Sequence, residues 1–175
     1  VIGKPIESEK YVSLKWKTNV DEHYEAINTK ITGIYNFENI LSAVTIGNYF
    51  DVSKHEIKVA IESYVPDNQR SQEIHLGTTH IIMDAYNANP TSMRAALLNF
   101  EKLNDKIKVA ILGDMFELGH EAEKEHQNIV DLASTQLLDK IILIGVNFYK
   151  TKIVSPKVQV FESFDDFKNN FNPSE

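Results

Sequence analysis

Ten residues, DAYNANPTSM from Asp84 to Met93, gather an acid, a phenol and two amides directly behind the apolar run THIIM. Asp84 can accept from ribose hydroxyls or ligate a cation, Asn87 and Asn89 can both donate and accept, and Tyr86 offers a ring for stacking with a hydroxyl at its tip. Asn89 before Pro90 also reads as an ordinary helix cap, and Asp84 as a turn acid. A second stretch, GDMFELG from Gly113 to Gly119, sets Asp114 and Glu117 between two glycines. A strand-to-helix loop accounts for the glycines, but not for two acids beside apolar Met115 and Phe116. Asn36 and Asn39, in GIYNFENI, stand at i, i+3 around a helix start and could present two amides to one planar ligand; capping by Asn36 is the local alternative. Arg70, in PDNQRSQ, could pair with a phosphate or with a surface acid.

Other chemistries find no footing. No G-x-G-x-x-G occurs, which disfavours a nicotinamide cofactor, and Gly3-Lys4-Pro5 lacks the glycine and hydroxyl partners of a P-loop. The chain therefore has no phosphate cradle of its own. HEAEKEH (120–126) resembles a zinc helix only superficially. Its histidines are six residues apart, whereas a helical pair needs i, i+4, so a charged first turn is the expectation and no metal ligand is assigned.

Placing these residues requires a particular order of elements. YVSLKWK (11–17) alternates apolar and polar residues as a half-exposed strand, and HYEAINTKITG continues that sheet. From Asn36 to Phe50 the spacing becomes helical, with Phe37, Ile40, Leu41, Val44, Ile46 and Tyr49 near one stripe. Ser53 and Glu56 form a capping-box pattern at the start of a second helix, which Tyr64-Val-Pro66 stops. PDNQRSQ is the candidate domain junction. Beyond it the rhythm turns to strand, helix, strand: THIIMD (79–84), KVAILGD (108–114) and KIILIG (140–145) are apolar runs of the kind buried on both faces, with helical segments between them. VQVF (158–161) and a helix capped by Ser163 follow. The implied fold class is α/β, with a mostly parallel sheet and helices on both faces. In such sheets ligands bind beyond the carboxyl ends of the strands, where Asp84 and Asp114 fall.

The 175 residues allow one domain, or one plus a piece of another. With 42% hydrophobic and 25% charged residues the composition is ordinary for a globular chain. A net charge of -7 offers no footprint for nucleic acid. No run reaches the length of a membrane span, and VIGKPIESEKY is not a signal peptide. The absence of cysteine excludes disulfides and thiol catalysis and agrees with a cytoplasmic setting.

Taken in order, ITGIYNFENILSA, Arg70 in NQRSQ, DAYNANPTSM and LGDMFELG resemble the Mur ligases of peptidoglycan synthesis, over roughly Tyr11 to Gly145. The branch that adds D-alanyl-D-alanine to UDP-N-acetylmuramoyl-tripeptide is the specific match. The resemblance implies a Rossmann-like C-terminal domain at 69–175, stopping short of the family's closing Lys-Gly-Ser-Arg-like segment, preceded at 1–68 by a strand and helix remnant of the central ATP-binding domain. It implies ATP and magnesium as cofactors, with the P-loop, the magnesium ligands and the modified lysine outside this chain. The chain alone is therefore expected to be inactive, and a monomer. By position, Asn36 and Asn39 match the family's His-Asn-x-x-Asn stretch near the adenine, and Arg70 and Asp84 match its nucleotide-contacting arginine and acid. Tyr35 stands where the family commonly has His. Tyr86, Asn87, Asn89, Asp114 and Glu117 fall in loops facing the reaction centre and are the candidates for orienting the dipeptide. Two other classes stay open: a receiver-like module phosphorylated on Asp84, and a non-catalytic nucleotide-binding module.

Overall fold

A computed structural model describes residues 1–8 and 10–172. Its internal contacts divide the chain into two compact units, Val1–Tyr86 and Asn87 onward.

The first unit is built on a three-stranded antiparallel sheet in the order β1-β2-β3: β1 Ile2–Ile6, β2 Tyr11–Lys17 and β3 Glu25–Thr32. β1 is an edge strand that the sequence pattern does not announce, and Pro5 is tolerated there because an edge has one set of amides unpaired. The alternation in β2 does what its pattern predicts, turning Val12, Leu14 and Trp16 into the core. A register shift between Tyr11 and Ser13 is held by Thr29, whose buried hydroxyl donates to the Val12 carbonyl at 2.8 Å. Helix α1 (Phe37–Tyr49) adds Ile40 and Val44 to this core, with Phe37 and Leu41 half-buried. Ile46 and Tyr49, expected on the same stripe, are 59% and 78% exposed. At 100° per residue Ile46 lies on the far side of the helix from Val44, so the stripe ends earlier. Helix α2 (Lys54–Ser63) begins with the expected capping box between Ser53 and Glu56.

The largest departure from expectation concerns THIIM. It forms β5 (Thr79–Met83), paired antiparallel with β4 (Gln72–Leu76) in a separate hairpin. It is not a parallel strand buried on both faces: its residues are half-buried or exposed. Gly77, at φ 59, occupies the first place of the two-residue loop, where a positive φ matches the twist of the strands.

The second unit carries the parallel sheet. β6 (Val109–Gly113), β7 (Lys140–Ile144) and β8 (Val158–Phe161) pair in that order, all parallel. β7 is central, and Ile141, Ile142 and Leu143 are almost wholly buried, as its continuous apolar run requires. Paired residues share a face, so Ala110, Ile141, Leu143, Val158 and Val160 point one way. They meet Met93 and Leu97 of α3 (Pro90–Glu101), Ile129, Val130 and Ala133 of α4 (Ala122–Thr135) and Phe148 of the short α5 (Val146–Tyr149). On the opposite face α6 (Phe164–Asn170), capped by Ser163, lays Phe167 against Phe161, and Phe171 beyond it receives Lys140 over its ring. β6 is not buried on both faces as expected: Val109 and Ile111 are 42% and 59% exposed. Helices thus stand on both faces of a parallel α/β sheet. Among the described residues, no helix is long and apolar enough to cross a membrane.

Candidate functional site

Four of the sequence-selected residues come together within the first unit, around a serine that motif reasoning passes over. Asp84, leaving β5, accepts from the Ser71 backbone N–H through Oδ1 (3.2 Å) and from the Tyr35 hydroxyl through Oδ2 (3.3 Å). Tyr35 Oη also lies 3.1 Å from Ser71 Oγ. The Asn36 amide donates to Ser71 Oγ (3.1 Å) and to the Thr32 carbonyl (2.8 Å), and its own oxygen accepts from Asn39 at 3.1 Å. Asn36 makes no side-chain cap for α1, so its amide is committed to this cluster and not to the helix end. The result is a chain of side chains, Asn39 to Asn36 to Ser71 to Tyr35 and Asp84, closed at its centre by buried Ser71.

Arg70 sits at the rim with its guanidinium over the Tyr86 ring, 3.9 Å from the centroid. Its neighbours Gln69 and Ser71 both adopt left-handed backbone, φ 60 and 51. Non-glycine residues pay about 1–2 kcal/mol there, and such strain persists only where surrounding contacts fix it. Here the contacts are the Ala85 N–H to Gln69 carbonyl bond at 2.8 Å and the Ser71 to Asp84 bond. The two bends turn Arg70 outward while Ser71 turns in. Burial pushes the Tyr35 phenol above its ordinary 10.0; the Ser71 bond pulls it partly back and the nearby Asp84 carboxylate raises it again. Tyr35 is therefore a neutral donor to Asp84 at physiological pH.

In the second unit the sequence-selected residues do not converge in the same way. Asn89 is the cap of α3, its side chain accepting from the Ser92 N–H at 2.9 Å while Ser92 Oγ accepts from the Asn89 N–H at 3.2 Å. Asn87 is exposed. Asp114 is turned inward: its carboxylate accepts from the Asn147 and Phe148 backbone N–H groups (2.9 and 3.0 Å) and the Asn147 amide (3.1 Å), tying the end of β6 to α5. His126, wholly buried, accepts from the Met115 N–H at Nε2 (3.0 Å), which leaves Nδ1 to donate to the Ala122 carbonyl (2.6 Å). The loop after β6 is thus anchored at two successive residues. Glu117, exposed and at φ 63, stands beyond those anchors.

Relatives of known type complete this picture. A family model described as "Mur ligase, glutamate ligase domain" matches residues 69–168. The chain belongs to the Mur ligase family. Within the family it resembles MurF over the C-terminal part. The UDP-N-acetylmuramoyl-tripeptide–D-alanyl-D-alanine ligase of Treponema pallidum is 31% identical over 122 residues, covering 70% of this chain and 26% of that protein. Its namesake from Bacillus subtilis (strain 168) is 32% identical over 117 residues, covering 66% and 26%. A crystal structure of MurF from Acinetobacter baumannii superposes with TM-score 0.77 at 25% identity, over 94% of this chain and 36% of that one. A MurF ligase from Thermotoga maritima in complex with ADP shares the fold at TM-score 0.74 and 15% identity. The chain spans about a quarter of the length of the two curated Mur ligases just named.

Proposed function

We propose that this chain is part of an ATP-dependent ligase that joins D-alanyl-D-alanine to UDP-N-acetylmuramoyl-tripeptide during peptidoglycan synthesis. The names borne by the related enzymes support the reaction. The observation that carries the reading is the shared network of Asn36, Ser71, Tyr35 and Asp84 with Arg70 at its rim. Such a cluster can hold an adenosine: exposed Asn39, steadied by the Asn36 oxygen, offers a donor and an acceptor to the base, the second lone pair of that Asn36 oxygen offers another acceptor, Asp84 accepts from ribose hydroxyls, and Arg70 supplies the charge for phosphate. These residues fit the nucleoside end of ATP; no phosphate cradle is among them. Magnesium would be held by other parts of the enzyme, where it neutralises phosphate charge.

We propose a domain boundary at 68/69, with 1–68 the tail of the central ATP-binding domain and 69–175 the C-terminal domain; the family match beginning at 69 supports it, while the β4–β5 hairpin that follows belongs by its contacts to the first compact unit. The chemistry is amide formation through an acyl phosphate made from the substrate carboxylate and ATP, which the dipeptide amine then displaces. This chain's share is positioning and exclusion of water. Tyr86, Asn87, Asn89 and Glu117 are the residues proposed to orient the dipeptide, Asn89 through its amide N–H groups since its oxygen caps α3. Asp114 acts through the loop it anchors, since its oxygens are bonded to α5. The enzyme works in the cytoplasm as a monomer, and this chain alone is inactive for want of a phosphate cradle.

Steady-state kinetics of the full-length gene product test the assignment. Arg70→Ala and Asp84→Ala should each raise KM for ATP at least about tenfold, the loss of one charge-assisted contact of 1.5–3 kcal/mol. Unchanged KM in both folded variants would contradict the proposed nucleotide site.

A further inference from the structure

One face of the β4–β5 hairpin gathers three side chains with metal-ligand chemistry. Glu73 and His75 are two apart on β4 and so share a face, and His80 is the cross-strand partner of His75. The two imidazoles stack with centroids 4.6 Å apart and 9° between their planes. Glu73 Oε2 lies 3.4 Å from His80 Nε2 and 3.9 Å from His75 Nε2, and one donor atom from each of the three falls within 4.8 Å of the others. A tetrahedral ion with bonds of about 2.0–2.1 Å sets its donors about 3.3 Å apart. Rotation of His75, the most exposed of the three, closes the remaining gap.

Two atoms at this place are left without hydrogen-bond partners although buried: His80 Nε2 and Glu73 Oε1. Buried polar atoms are nearly always bonded, so an orphaned imidazole nitrogen 3.4 Å from a carboxylate whose other oxygen is also unbonded indicates a missing partner. A cation fits there, because the carboxylate already draws one: Lys10 Nζ stands 2.8 Å from Glu73 Oε2. Lys10 comes from outside the hairpin and is 43% exposed, free to withdraw to solvent.

We propose that Glu73, His75 and His80 bind a divalent transition metal of the zinc type, with water completing the coordination. Two imidazoles and one carboxylate suit Zn(II), Co(II) or Ni(II); magnesium and calcium prefer all-oxygen shells. The ion clips β4 to β5 near their turn. The open end of the same hairpin pairs Gln72 with Met83 and leads directly into Ser71 and Asp84, so the clip steadies the strands that carry the network described above.

The test is a titration of the untagged 175-residue chain with Co(II), followed by Zn(II) displacement. One equivalent should bind saturably, with the visible absorption of a four-coordinate nitrogen and oxygen site, and Zn(II) should abolish that absorption. His80→Asn and Glu73→Gln should weaken binding by more than about tenfold, a loss that even removal of an outer-shell partner can bring. Lys10→Met should tighten it. Because His80 is half-buried, His75→Gln at the exposed position supplies the same loss in a chain whose fold is not at issue. Absence of saturable binding overturns the proposal. So does one-equivalent binding that survives both His75→Gln and Glu73→Gln, which would place the ion on other histidines.

Discussion

Tyr35 shows how a single side chain reorganises a site. Its hydroxyl bonds both Ser71 and Asp84, and Tyr35→Phe removes both contacts while keeping the ring. The loss should be about 1 kcal/mol at neutral pH, read from the urea midpoint. The pH dependence has a definite sign. The phenol's pKa is raised on folding, so its contribution is fully present below the ordinary value of 10.0 and is lost as pH rises through the folded value. The parent chain should lose stability above about pH 10 more steeply than the Phe variant. Gly145 is the second decisive residue. It has φ +136, and an added Cβ would strike the Asp114 carboxylate that holds α5. Gly145→Ala should cost about 1–3 kcal/mol. Gly113→Ala, whose Cβ would meet open space, should not. At this scale the sequence was only partly legible. Asp84, Arg70, Asn36 and Asn39 stand out by type, but Ser71 does not, because its importance comes from two left-handed residues beside Arg70 that no residue type announces.

Elements with local signals were readable, and those with distant partners were not. Caps act within one turn, so Ser53, Asn89 and Ser163 mark their helices directly. Asn89→Ala should destabilise by about 1 kcal/mol, with the change confined to the unit that carries α3. The β4–β5 pairing is not legible in the sequence because QEIHL is mostly polar and a short apolar run such as THIIM fits a parallel or an antiparallel neighbour equally well. The same limit applies to β6: its composition matches that of β7, yet Ile111 is exposed where Ile142 beside it is buried, a difference no local pattern encodes. The β2–β3 connection offers a test of its own. Asp21 pairs with Lys54 of α2 and accepts from the Thr18 N–H and hydroxyl (2.7 and 2.8 Å), and these bonds hold its carboxyl at about 2. A lowered folded pKa stabilises above the ordinary value of 3.8 and is lost as pH falls toward 2. Asp21→Asn should flatten the acid limb of the stability profile between those values, as followed by circular dichroism.

At the scale of the whole molecule, the chain is two compact units with different polar features. The first presents the linked polar cluster around Ser71, and the second anchors a loop through Asp114 and His126 on a parallel sheet. The chain belongs to the Mur ligase family and resembles MurF over its C-terminal part, and the reaction proposed above would join those features. The role proposed for these loops is to serve D-alanyl-D-alanine. It is tested most directly by phosphate release from ATP by the full-length gene product with magnesium and UDP-N-acetylmuramoyl-tripeptide, with and without the dipeptide. Release that requires D-alanyl-D-alanine is the expected result; release indifferent to the dipeptide, in a folded protein that binds ATP, would contradict it.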